Sequence, residues 1–163
     1  MKTARIVSWL CVALWALWLL SLTLTPGDRP QAIQLVPFTD STWAISCLLS
    51  DCAWTSQALA IVVIQILGNV AVFVPLGAAL TAALALGRQE KGRWTKWSTW
   101  LWPIALGFSF SVCIELAQLY VPGRVTATDD VILNTLGTAL GAWLTCALHP
   151  WLANLAQGTR RPR

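Results

Sequence analysis

A single carboxylate stands inside an otherwise apolar run, Glu115 in SVCIELAQ. Ser111, Glu115 and Gln118 follow helical spacing and share one helix face. A carboxylate so placed can serve as general acid or base, couple to a proton, or orient a bound polar group. Asn69 and Asn134 interrupt two further apolar runs, with Thr138 one turn after Asn134. The polar stretch VPGRVTATDD supplies Arg124, Asp129 and Asp130. A guanidinium there could pair with Glu115 or receive an anionic group from outside. Glu115 and Asp130 are the candidates for acid–base catalysis. Ser111 has no base near it in sequence except Glu115, and the five cysteines show no metal-ligand spacing with the lone His149. Neither a metal nor a cofactor is expected.

The elements that carry these residues follow from composition. Hydrophobic residues make up 56% of the 163 and charged residues only 11%, against about 25% charged in a soluble domain. The apolar residues fall in four blocks: Ile6–Leu24, Ala58–Leu86, about Trp100–Val121 and Val131–Leu148. Each reaches the roughly 20 residues that cross a bilayer as a helix. None alternates as a barrel strand would, and backbone in lipid must satisfy its own hydrogen bonds. The expectation is an all-α polytopic membrane protein, a four-helix transmembrane bundle with a long outer loop between helices one and two. Transmembrane segments are placed at about 6–24, 66–86 (the helix starting as early as 57), 100–121 and 131–150, with a basic tail over 153–163. The first block starts basic like a signal peptide, but it exceeds the usual apolar length and no small-x-small site follows, so a retained helix is expected.

Charge sets the orientation. Nine of the eleven Lys and Arg flank the ends that would share one side; only Arg29 and Arg124 fall opposite. The positive-inside rule puts both termini in the cytoplasm of a cell-membrane protein. Trp94, Trp97, Trp100 and Trp102 would then form an aromatic collar at the cytoplasmic interface. This distribution suits lipid headgroups and topology, not nucleic acid. Within the outer loop, TDSTWAISCLLSDCAW is too short to span and would lie in the interface or dip between helices. Cys47 and Cys52 in it are either a disulfide on the oxidising side or two small free hydrophobes. Cys11, Cys113 and Cys146 read as packing residues.

Counting residues aligns the polar groups in depth. Ala58–Leu86 would measure about 43 Å as a helix, so the outer boundary falls near Leu67 and Asn69 lies just beneath it. Glu115 lies roughly 10 Å below the outer end of helix three, and Asn134 about one turn inside helix four. Pro75 frees a carbonyl near Ala71 and could kink helix two. Gly137 and Gly141 form a small-xxx-small pair for close helix approach. Bland roles compete: Asn69 and Asn134 as interhelical hydrogen-bond partners, Asp129 or Asp130 as the N-cap of helix four, Glu115 as a structural carboxyl. A mid-membrane carboxylate costs about 2.5–3.5 kcal/mol on insertion scales, which favours a functional role for Glu115.

Three segments resemble the signatures of VanZ-like proteins: NVAVFVPLG (Asn69–Gly77), SVCIELAQ (Ser111–Gln118) and PGRVTATDDVILNTLGTALG (Pro122–Gly141). LTLTP and Val36–Phe38 are similar more loosely. The resemblance spans Leu22–Gly141 and implies a bacterial membrane protein of the family whose namesake is associated with teicoplanin resistance. Carried over by position, it implies Asn69, Glu115, Gln118, Arg124, Asp130 and Asn134 as the characteristic polar residues, with Asp129 an alternative occupant of the acidic position. Together these seven are the candidate ligand-binding residues.

Three functions fit this reading. The favoured one is binding of a lipid-linked or cell-envelope molecule, or a glycopeptide-related one, in an outward-facing polar pocket, with Arg124 on an anionic headgroup. An intramembrane acid–base enzyme acting on an envelope lipid, and a small transporter using Glu115, are the alternatives. Membrane lipids are the expected partners, with an envelope precursor and a homo-oligomer as further ones.

Overall fold

A computed structural model describes residues 2–28, 30–50, 52–89 and 96–158. Arg29, Asp51, Lys91, Arg93, Trp94, Arg160, Arg161 and Arg163, which bear on the orientation and the aromatic collar, lie outside the described residues. Among the described residues, four helical stretches are long and apolar enough to cross a membrane: Thr3–Thr23, Thr55–Leu86, Trp100–Gln118 and Thr128–Leu148. The chain is a multi-pass, all-α membrane bundle.

The elements run α1 (Lys2–Thr23), β1 (Ala32–Gln34), α2 (Thr39–Leu49), α3 (Thr55–Ala60), a π-helical segment (Ile61–Gly68), α4 (Asn69–Gln89), α5 (Lys96–Gln118), β2 (Val125–Ala127) and α6 (Thr128–Gly158). Helix α6 packs most extensively on α4 and then on α5, while α1 lies against α4. The α4–α6 crossing brings backbone against backbone. A Cβ at Gly137 would meet the Val70 carbonyl oxygen, and one at Gly141 would meet that of Val74. Lipid offers little hydrophobic drive between helices, so such close van der Waals contact is what joins them. Leu19, Phe73, Leu76, Leu80 and Ile114 form the buried apolar cluster between α1, α4 and α5. Trp15 donates its indole N–H to the Val72 carbonyl at 2.9 Å, next to the carbonyl that Pro75 cannot engage.

The loop between the first two spanning helices is more ordered than its sequence suggests. Strand β1 pairs in parallel with β2, with Ala32 opposite Val125 and Gln34 opposite Ala127. This ladder is a small addition to the all-α bundle; three-residue strands about ninety positions apart leave no local periodicity to read. The apolar run at Thr39–Leu49 is helix α2, which buries Ser41, Ala44 and Cys47 on one face. Cys47 and Cys52 are joined by a disulfide, with Cα atoms 5.1 Å apart, tying the end of α2 to the start of α3.

Candidate functional site

The site lies where α1 ends and α6 begins. Pro26 and Gly27 stop α1, and Gly27 donates its N–H to the Pro122 carbonyl at 3.1 Å. Gly123 takes φ +73°, and its missing side chain leaves room for the Gly27 carbonyl. With the two turns interlocked, Arg124 reaches the end of α1. Its Nε donates to the Thr25 carbonyl and an Nη to that of Leu22, both at 2.7 Å. Carbonyls at a helix C-terminus lack intrahelical donors, and this guanidinium supplies them. The pairing of Arg124 with Glu115 is therefore not what forms. Three of its five N–H donors are left over from these two bonds.

Glu115 is 6% exposed and engages backbone. Its Oε2 accepts the Ala127 N–H at 2.9 Å, at the end of β2, where the chain turns into α6. The acidic pair divides its work. Asp129 does not cap its own helix by the contacts it makes: its Oδ1 accepts the Phe38 N–H at 2.8 Å and its Oδ2 lies 3.5 Å from the Ser41 hydroxyl. Phe38 sits at φ +62°, a strained conformation for a bulky residue, at the position that starts α2. Asp129 thus places its carboxylate at the positive end of α2 and holds the turn that aims it. Asp130 faces the other way and accepts the Asn69 amide at 2.6 Å, linking α6 to α4.

Deeper in the bundle, Asn134 donates to Ser111 Oγ at 2.9 Å, and Thr138 donates to the Asn134 carbonyl. All three are buried. The single polar layer expected from depth is therefore two sets. Asn69, Gln118, Arg124 and Asp130 line a cavity of about 800 Å³; Glu115, Asp129 and Asn134 do not. Glu115 reaches the cavity wall by its hydrogen bond from Ala127, which does line it.

The other cavity residues escaped the sequence reading. Asp40 and Trp43 come from α2, Gln57 from α3 and Gln65 from the π-helical segment. A signal existed: Gln57, Ile61, Gln65 and Asn69 are spaced by four. In an α-helix each such step advances by about 40°, so the series would wind off one face. A π turn takes more residues, and the same step falls behind instead. Inserting π-helix between α3 and α4 thus keeps all four on the cavity wall.

These residues sit in segments covered by a protein-family model. The family model for VanZ/LLP1 matches residues 7–149, from α1 into α6. The chain belongs to the VanZ/LLP1 family. No significant match to a curated protein or to a solved structure was found. The three VanZ-like segments of the sequence all lie within the matched range and supply both the cavity set and the internal set.

One consequence for this VanZ/LLP1 protein is direct. Asp129→Ala should leave the Phe38 N–H without its acceptor and cost about 1.5–3 kcal/mol, as loss of a hydrogen bond to a charged group does. Thermal unfolding in detergent would show it, and proteolysis should open near α2 first. An unchanged melting point would remove Asp129 from the role of anchoring α2.

Proposed function

We propose that this VanZ/LLP1-family protein binds the polar head of a lipid-linked or cell-envelope molecule in the cavity between α2, the π-helical segment and the β1–β2 ladder. The observation that carries the reading is the cavity itself. It is large enough for a small ligand, polar at Asn69, Gln118, Arg124 and Asp130, and flanked by Ile61 and Ile64 from a spanning helix. Ile64 is 72% exposed, so an acyl or prenyl chain could leave along that wall while the head stays inside. The Arg124 donors left over among the described residues suit a phosphate in that head.

The proposal includes orientation. The cavity faces outward across a cell membrane of bacterial type, and both termini are cytoplasmic. The positive-inside distribution of Lys and Arg supports this, as does the Cys47–Cys52 disulfide, a bond that persists in oxidising compartments.

The test is to identify lipids carried by the purified protein, using mass spectrometry, in wild type, Arg124→Ala and Ala60→Trp. Ala60 lines the cavity and is exposed, so Trp there fills space without removing a hydrogen bond. A lipid retained by wild type should be lost from both variants, and Ala60→Trp should keep the wild-type melting point. The same lipids at the same occupancy in all three would sink the proposal.

A further inference from the structure

Beyond the seven residues the sequence singled out, the cavity has an imbalance of hydrogen-bonding groups. Among the described residues, its wall carries three carboxyl groups, Asp28, Asp40 and Asp130, against the guanidinium of Arg124. The amide donors nearby are partly spent on these acids: Gln34 donates to Asp40 at 2.8 Å and Asn69 to Asp130 at 2.6 Å. A second observation is independent of the acids. Gln118 lines the cavity and is 5% exposed; its Nε2 donates to the Thr23 carbonyl at 3.1 Å, while its buried Oε1 has no partner among the described residues. A buried acceptor without a donor is costly and calls for one from a bound molecule. Trp43 lines the same space, and indole is the strongest cation–π partner among side chains.

We infer that the ligand's head carries a primary amine, seated among Asp28, Asp40 and Trp43, with a donor directed at Gln118. This rests on the cavity-binding reading above and names its ligand class. An ammonium brings three donors and no acceptor, which answers a wall rich in acceptors. A neutral polyol brings acceptors along with its donors, and an anionic head would meet three carboxyl groups. Arg124 lines the same cavity and keeps donors for a phosphate, so an amino-phosphate head would satisfy both the acids and the guanidinium.

The experiment uses the purified full-length protein in detergent, titrated calorimetrically with dihexanoyl phosphatidylethanolamine, dihexanoyl phosphatidylglycerol and soluble phosphoethanolamine. The ethanolamine lipid should bind and the glycerol lipid should bind at least about tenfold more weakly, the ratio expected from one charged hydrogen bond. Asp28→Asn/Asp40→Asn, which keeps side-chain shape, should weaken the ethanolamine lipid by a similar factor and should not weaken the anionic glycerol lipid, which loses two repelling carboxylates. Binding of soluble phosphoethanolamine with the same Asp dependence also supports the inference and points to a free amine as a sufficient ligand; its failure beside successful lipid binding assigns the amine to a lipid. If the glycerol lipid binds equally well or better and Ala60→Trp removes it, the amine inference falls while cavity binding stands. If no head binds and Ala60→Trp behaves as wild type, both fall.

Discussion

Gly141→Leu is expected to abolish the folded bundle. A Cβ at this position would meet the Val74 carbonyl oxygen and the Ala78 nitrogen, so it strikes the backbone of α4 and not a side chain that could swing aside. Overpacking a soluble core costs about 1–3 kcal/mol when neighbours can repack. Here the neighbour is a helix axis, and moving it also pulls on Gly137 against Val70, one turn away. Even Gly141→Ala should lower the melting point, and Gly141→Leu should give aggregated or unfolded protein on gel filtration. Leu136→Ala is the control, because Leu136 is half-exposed on the same helix and its loss should fall within about 0.5 kcal/mol of wild type. Normal elution of Gly141→Leu would mean that α4 and α6 do not cross at this point.

The second large effect is at Glu115, and two substitutions separate structure from chemistry. Glu115→Ala removes the acceptor of the Ala127 N–H from a buried site and should cost about 1–3 kcal/mol. Glu115→Gln keeps a carbonyl oxygen for that N–H and removes only the titrating proton. If Glu115 positions β2 at the cavity wall, Glu115→Gln should bind ligand nearly as wild type while Glu115→Ala loses both stability and binding. Acid–base catalysis or proton coupling would reverse the ranking of importance: Glu115→Gln would fold and bind yet lose all turnover or transport. Melting points and ligand titration on the two variants, with any envelope phenotype beside them, decide between the readings.

The residues that were legible in the sequence are those whose partners are far away in type as well as position. Four apolar runs flanked by charge could only be spanning helices. Gly137 and Gly141 announced a close crossing because four-residue spacing of glycines has few other uses in such a helix. Depth counting set Asn69 level with Glu115 and Asn134, but of the three only Asn69 lines the cavity. Other partners were hidden because they are backbone. Arg124 engages the carbonyls of Leu22 and Thr25, Glu115 the N–H of Ala127, and Asp129 the N–H of Phe38. Backbone groups have no identity in a sequence, so side-chain chemistry pointed Arg124 at Glu115 instead. The part of the cavity built by Asp40, Trp43, Gln57 and Gln65 was hidden for another reason: it depends on the π-helical segment, whose eight residues, IVVIQILG, look like any apolar helix.

The parallel ladder between Ala32–Gln34 and Val125–Ala127 also sets an order of assembly. Two parallel strands need a crossover between them, and this one runs down through α4 and back through α5. The strand partners, the Ala127 N–H donated to the Glu115 carboxylate and the start of α6 all close at the same place. Until the third spanning helix is in place, β1 has nothing to pair with and the cavity has no far wall. A chain stopped after α4 therefore carries every residue from α2 to Asn69 and still lacks a site. The pocket is a product of the completed bundle, formed late because its closing contacts span the longest stretches of chain.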